Sequence, residues 1–209
     1  MTLNNAHYRM TRTVLKLNLF LLALAAFFVN PRPTHAFGNL KSALPGFTGS
    51  YQPASERTGS LLRRVHIENV LDLPVVQQPV DEPYYVSDRD GEVTEFSMVE
   101  KYGSIGLLAH NTLSGKHFSQ IAVGQEIHLI YENGKVDEFV VTEVLHFQAL
   151  EPENISSSFR NLHKNEILTA GEMFNRAYVG GNRLVFQTCI EAQGNVSWGR
   201  LFVVALPKE

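Results

Sequence analysis

Alternating apolar and polar residues dominate the chain from Leu62 onward, and a period of two predicts β-strands. The first run, Val65–Val76 (VHIENVLDLPVV), predicts one strand that Pro74 closes. The clearest signal is the segment 125–147, in which two alternating runs flank Asn133-Gly134. Because this dipeptide is preferred in two-residue type I′ turns, the segment predicts a β-hairpin.

Further apolar runs add strands on both sides of a polar segment. A short run ends at His110 and predicts a strand, followed by a loop that contains Gly115. Two more strands are predicted at 183–189 and 198–206. The polar and mixed segment 148–168 predicts a long loop with a helical turn.

One helix is predicted at Thr169–Tyr178. Thr169 with Glu172 three positions later forms a capping box, and Gly180-Gly181 can end the helix. The patterns together give about eight short strands and one or two short helices, with no internal repeat. This content predicts an all-β domain over residues 62–209, built as a closed barrel or a sandwich.

The first 36 residues differ from the rest of the chain. Basic residues precede an apolar run, Leu17–Val29, which is short for a membrane span and is followed by small residues up to Ala36. The pattern predicts a signal peptide cleaved after Ala36, with an uncleaved signal anchor as the alternative. Residues 37–61 are rich in Gly, Ser and Pro and predict a flexible linker. We therefore expect an exported protein of the cell envelope or periplasm.

The charge of the chain excludes one class of partner. The leader holds four of the 18 basic residues and no carboxylate, which leaves 14 basic against 21 acidic residues and a net charge of −7. Nucleic-acid binding depends on a basic surface, so it is not expected. Contact with a membrane is expected only through the N-terminal segment, if that segment stays uncleaved.

Cys189 is the only cysteine of the chain, so it cannot form a disulfide within it. A lone cysteine is compatible with a small buried residue, and its neighbours decide whether a chemical role is indicated. Arg200 opens the next predicted strand. If the two strands are adjacent and antiparallel, Arg200 returns to a position beside Cys189.

A cysteine nucleophile needs a proton donor for the leaving group and a group that stabilises the oxyanion. Arg200 cannot act as a base because a guanidinium stays protonated, but it can stabilise a thiolate and a tetrahedral oxyanion. His110, at the end of its strand, is the candidate acid and base. These three residue types together predict nucleophilic acyl transfer.

The ordered set of these residues resembles the sortase family of cysteine transpeptidases. Sortases carry a histidine in Gly-His or Ala-His context, then a Thr-Cys that closes a strand, then an arginine that opens the next strand. This chain has Ala109-His110, Thr188-Cys189 and Arg200 in that order, and the resemblance covers roughly residues 62–206. One departure is Val185-Phe186, where many sortases have Thr-Leu.

The resemblance implies an eight-stranded sortase β-barrel with a defined division of roles. Cys189 would attack a backbone carbonyl in a C-terminal sorting signal of Leu-Pro-x-Thr-Gly type, and Arg200 would stabilise the oxyanion. His110 would protonate the departing amine and deprotonate the incoming one. Thr188 would contact the substrate or the oxyanion. Trp198, where the loop between the last two strands meets strand 198–206, would either wall the groove or serve only in packing. No metal or other cofactor is expected.

Other functions compete with this hypothesis. The same three residues serve a cysteine protease that hydrolyses the intermediate with water. A non-catalytic exported β-barrel that binds a partner would also have this fold, with Cys189 simply buried. L,D-transpeptidases place an arginine two residues after the cysteine, whereas Ile190 and Glu191 follow here. Papain-like enzymes place the cysteine before the histidine, and a zinc site would need ligand spacing that one cysteine and scattered histidines lack.

Overall fold

The computed structural model describes residues 60–79, 81–82, 84–154 and 156–209. The predicted leader, residues 1–36, and all but the last two residues of the predicted linker, residues 37–61, lie outside these described residues. Within the described part of the chain, no helix has the length and apolar character needed to cross a membrane.

The described residues form ten β-strands, one α-helix and two short 3₁₀ helices. The α-helix is α1, Ala170–Tyr178, and the 3₁₀ helices are Ser97–Tyr102 and Ser114–Gln120. The strands in chain order are β1 Leu62–Ile67, β2 Leu71–Gln77, β3 Val93–Glu95, β4 Ile105–Leu108, β5 Glu126–Tyr131, β6 Val136–Ala149, β7 Phe159–Asn161, β8 Ile167–Leu168, β9 Leu184–Ala192 and β10 Asn195–Pro207.

Eight of these strands close into a barrel, which confirms the predicted fold class. Their order is β10-β9-β4-β3-β2-β1-β5-β6, and the ring closes because β10 also pairs with β6. Most neighbours are antiparallel, but β2–β3 and β4–β9 are parallel. The short strands β7 and β8 extend the sheet from β6 outside the ring.

Two hydrophobic layers lie on the two sides of the barrel wall. Alternate residues of each strand fill the interior, for example Leu107 in β4, Phe186 in β9 and Val203 in β10. The residues between them pack outward against α1, for example Val185 and Phe202. The outer layer therefore covers β9 and β10, the two strands that carry Cys189 and Arg200.

The prediction of a single strand at Val65–Val76 is wrong, because the segment is the antiparallel hairpin β1–β2. The turn contains Asn69 in a left-handed conformation (φ 59°), and Pro74 lies inside β2 rather than at its end. The buried residues on either side of the turn, Ile67 and Leu71, are four positions apart. An even step preserves the period of two, so the alternation runs through the turn without a visible break.

The hairpin at Asn133-Gly134 is confirmed between β5 and β6, but its predicted type I′ turn is wrong. The backbone N–H of Tyr131 donates to the carbonyl of Lys135 at 2.9 Å, so three residues, not two, form the loop. Gly134 is left-handed (φ 82°) whereas Asn133 is not, and type I′ needs both. The side chain of Asn133 instead accepts the N–H of Lys135 at 3.0 Å.

The segment 148–168 contains more β-structure than predicted. The strand β6 continues to Ala149, and the two short strands β7 and β8 replace the expected loop and helical turn. The helix that follows is confirmed, with Thr169 as its N-cap and the capping box to Glu172 present. The strand pairs are too short for a period to be visible in sequence.

The buried hydroxyl of Tyr178 links α1 to β9, the strand that carries Cys189, by a hydrogen bond. It donates to Oε1 of Gln187 at 2.6 Å, and burial raises the pKa of Tyr178.

We expect Tyr178→Phe to lower the free energy of unfolding by about 1–3 kcal/mol, because a buried acceptor loses its donor. Urea unfolding measures this change. The control Tyr102→Phe, which keeps its edge contact with Phe174, should change the free energy of unfolding by less than about 0.5 kcal/mol. Equal losses in the two variants would contradict the prediction.

Candidate functional site

Cys189 and Arg200 lie directly opposite each other on neighbouring strands. Their Cα atoms are cross-strand partners in the antiparallel pair β9–β10, which confirms the predicted pairing of these strands. Arg200 is also the partner of Phe147 in β6, so the arginine lies between two strands. Partners across a sheet point to the same face, and this places the thiol and the guanidinium together on the outer face.

His110 reaches the same face from β4, on the other side of β9. The parallel pairing aligns Leu108 with Gln187, and the N–H of Ala109 donates to the carbonyl of Gln187 at 3.4 Å. Continuing this alignment by two residues places His110 beside Cys189. Since Leu108 belongs to the outer hydrophobic layer, the alternation of the strand places His110 on the outer face as well.

Hydrogen bonds to the loop after β4 fix the position of His110. The carbonyl of His110 accepts the N–H groups of Leu113 at 2.9 Å and Gly115 at 3.0 Å. The hydroxyl of Thr188 donates to the carbonyl of Ala109 at 2.8 Å. Thr188 thus binds the backbone that precedes His110, and it is only 5% exposed.

Gly115 is the closest point of this packing. A Cβ atom there would overlap Oγ1 of Thr188 and would lie 2.7 Å from the carbonyl oxygens of both Ala109 and His110. No side chain fits at such distances, so only glycine lets the loop approach β9 this closely. Gly115 lies in the loop that its sequence context predicts, but no local pattern signals its role, because the contact joins segments far apart in the chain.

The surroundings of His110 act on its imidazole in opposite directions. Burial lowers the pKa of His110, whereas a hydrogen bond to the backbone of Val86 and the charge of Asp88 raise it. Burial has the larger effect, so the pKa of His110 lies below its ordinary value. Val86 and Asp88 belong to the connection between β2 and β3, so this segment influences the charge of the ring, an effect for which the sequence carried no signal.

That connection is itself attached to the loop after His110. It turns at residues 89–91, with Gly91 at φ 89°. The N–H of Gly91 donates to the buried Oγ of Ser114 at 2.8 Å, and Lys116 contacts the carboxylate of Asp90 at 2.8 Å. The two segments that surround His110 therefore support each other.

The guanidinium of Arg200 is held by backbone carbonyls of its own strand. Nη1 donates to the carbonyl of Gly199 at 2.6 Å and to that of Ser197 at 3.3 Å, and the residue is 1% exposed. Burial lowers the pKa of Arg200, and the charge of Cys189 raises it. An arginine remains protonated despite such burial, so the site keeps a buried positive charge beside the thiol.

Trp198 does not lie in a loop, contrary to the sequence-based prediction. The strands β9 and β10 extend beyond the site to a turn at Gln193-Gly194, where both residues have positive φ, and Trp198 is a half-buried residue of β10. The pairing shifts register between Asn195 and Gly199. The polar residues of this ribbon resemble a loop in sequence, which explains the error.

One group of possible metal ligands is present among the described residues, away from Cys189. Ligand atoms of Glu126, His128 and Glu138 lie within 4.8 Å of one another on β5 and β6. Lys208 already contacts both carboxylates, at 2.9 and 3.2 Å. Glu138 precedes Phe147, the partner of Arg200, by nine residues, or roughly 30 Å along β6, so this group is separate from the site.

Solved sortases have similar folds. Sortase C1 from Streptococcus suis is 12% identical, with a TM-score of 0.48 over 71% of this chain and 73% of that chain. Sortase A from Listeria monocytogenes is 14% identical, with a TM-score of 0.43 over 71% of this chain and 87% of that chain. No protein-family model and no curated protein matches the sequence. The similarity concerns the fold alone.

Proposed function

We propose that this protein is a sortase-like cysteine transpeptidase with His110, Cys189 and Arg200 as its catalytic residues. The observation that supports the proposal is the placement of all three on one face of adjacent strands, with Cys189 and Arg200 as direct cross-strand partners. A barrel that only binds a partner has no need for a buried guanidinium opposite a half-buried thiol. The order of the residues along the chain supports the same family.

In the first half of the reaction, His110 holds the proton of the Cys189 thiol, and the resulting thiolate attacks a backbone carbonyl of the substrate. A C–S bond forms, and the tetrahedral oxyanion is stabilised by the guanidinium of Arg200. His110 gives a proton to the departing amine as the C–N bond breaks, which leaves a thioacyl enzyme.

In the second half, an amine attacks the thioacyl carbonyl. His110 removes a proton from the incoming amine, an amide bond forms, and the C–S bond breaks to regenerate Cys189. The substrates would be exported proteins with a C-terminal sorting signal of Leu-Pro-x-Thr-Gly type, and the acceptor an amine of the cell envelope. Residues 1–36 would deliver the enzyme there, either as a cleaved signal peptide or as an anchor. Trp198, half-buried on the ribbon beyond Arg200, would contact the bound peptide.

The test is to incubate the full chain with a fluorogenic Leu-Pro-x-Thr-Gly peptide library, with and without an amine acceptor. Mass spectrometry should detect a thioacyl adduct at Cys189 and a product joined to the amine. Protein alkylated at Cys189 beforehand is the blank. Cleavage without joining would instead establish a protease. A thiol that is inert to alkylation in the folded protein, with no cleavage in any peptide, would overturn the enzyme and leave a binding module.

A further inference from the structure

Asn111, the residue after His110, joins the histidine loop to the strand that carries Arg200. Its Nδ2 donates to the carbonyl of Val196 in β10 at 3.1 Å, across 85 positions of sequence. A carbonyl can accept but not donate, so the contact fixes which end of the amide faces β10. The side chain is half-buried, and this link lies on the rim of the site.

The other end of the same amide makes no hydrogen bond to any described residue. Oδ1 of Asn111 is buried and has no hydrogen-bond partner among the described residues. A buried acceptor without a donor destabilises the folded state, so an asparagine chosen for stability alone would have both ends bonded. This oxygen is therefore a polar group that the described residues leave unpaired, a feature that is common at functional sites.

The carbonyl that Asn111 binds belongs to the stretch that holds Arg200. The pairing of β10 with β9 shifts register between Asn195 and Gly199, and carbonyls of this stretch bond to side chains. Ser197 and Gly199 offer theirs to Nη1 of Arg200, and Val196 offers its own to Asn111. One irregular stretch of backbone thus contacts both the arginine and the neighbour of the histidine.

We infer that Asn111 is a positioning residue that sets the placement of His110 relative to Arg200 through the carbonyl of Val196. The inference rests on the proposed acyl transfer, in which the proton donor and the oxyanion donor act on two atoms of one tetrahedral intermediate. A shift of about 1 Å between two such groups can lower a rate by about 100-fold. Thr188 fixes His110 to β9 from the interior, and Asn111 fixes it to β10 from the rim.

The test compares Asn111→Asp, Asn111→Ala and the matched control Asn165→Asp in the full chain. Asp has the size of Asn but lacks the donor, so it loses the link to Val196 as Ala does. Asn165 is exposed in a turn and left-handed (φ 53°), a conformation that Asp also accepts. With a sorting-signal peptide, we expect kcat of both Asn111 variants to fall about 10- to 100-fold with little change in KM, and the control to match wild type.

A second readout needs no substrate. The ring of His110 is titrated by NMR, and the rate of Cys189 alkylation by iodoacetamide is followed against pH. In both Asn111 variants the pKa of the less restrained His110 ring should rise toward its ordinary value. The pH dependence of Cys189 alkylation should shift in the same direction. The melting temperature should stay near that of wild type.

The outcomes separate the inference from the proposed function. Unchanged kcat, titration and alkylation in both Asn111 variants would overturn the positioning role while leaving the transpeptidase intact. A loss of kcat only in step with a loss of folded protein would also overturn it. If no peptide is turned over by wild type, the proposed function fails, and the titration and alkylation profiles still decide whether Asn111 positions His110.

Discussion

Arg200→Lys should lower kcat/KM for a sorting-signal peptide by about 10²- to 10³-fold, the loss typical of removing one oxyanion donor. The guanidinium has several N–H groups in a fixed plane, and Nη1 is already used by the carbonyls of Ser197 and Gly199. An ammonium group is a single point of charge, so it cannot bind these carbonyls and an oxyanion in the same geometry.

Burial makes this substitution more severe than a change of shape. Arg200 is 1% exposed, and burial at this position already lowers its pKa. A lysine at the same place has a much lower starting pKa, so the same burial can remove its charge at neutral pH. The variant then offers neither the planar donors nor a full positive charge to the tetrahedral intermediate.

The measurement is steady-state kinetics on Arg200→Lys beside the control Arg176→Lys. Arg176 is half-buried and pairs with Glu143 at 3.2 Å and Glu166 at 3.8 Å, away from Cys189. The control should keep kcat/KM within about threefold, because it leaves the site unchanged. Thermal melting of both variants separates loss of fold from loss of chemistry. Arg200→Lys activity within threefold of wild type would show that Arg200 has only a structural role.

The parts of the site that the sequence predicted are those that strand pairing determines. Two apolar runs joined by a short connection form an antiparallel pair, and this alone places Arg200 opposite Cys189. The position of His110 followed from its place at the end of β4. Both inferences use the period of two and need no contact between distant loops.

The parts that the sequence did not predict depend on contacts between segments far apart in the chain. The effect of Val86 on the pKa of His110, and the hydrogen bond of Asn111 to Val196, arise between segments whose residues carry no local pattern. The misplacement of Trp198 has a local cause, since a polar ribbon with shifted register lacks clear alternation. A turn such as the one at Asn69 is also invisible in the sequence pattern, because the buried residues on its two sides are an even number of positions apart and the alternation continues unbroken.

Gly115→Ala should destabilise the fold and disturb the site together. The added methyl group would lie 2.7 Å from two backbone carbonyl oxygens, those of Ala109 and His110, and would overlap the hydroxyl of Thr188. Overpacking of this kind costs about 1–3 kcal/mol or more. Relief requires the loop to move away from β9, which carries His110 with it, so kcat should fall as well.

Gly171→Ala is the matched control, because its added methyl group meets open space in α1. Alanine is a better helix former than glycine, so this variant should gain up to about 1 kcal/mol in the free energy of unfolding. Urea unfolding and peptide turnover are measured on both variants. Equal stability of Gly115→Ala and wild type would contradict the tight packing of the loop on β9.

The double variant Gly115→Ala with Thr188→Ala locates the source of the strain. Removing the Thr188 hydroxyl deletes one of the three close contacts, but the carbonyls of Ala109 and His110 belong to the backbone and cannot rotate away. The hydroxyl is also the donor to the carbonyl of Ala109, so its loss weakens the hold on the histidine loop. We therefore expect no recovery of stability or turnover. Full recovery would instead show that Thr188 alone requires glycine at position 115, and that the backbone around His110 can yield.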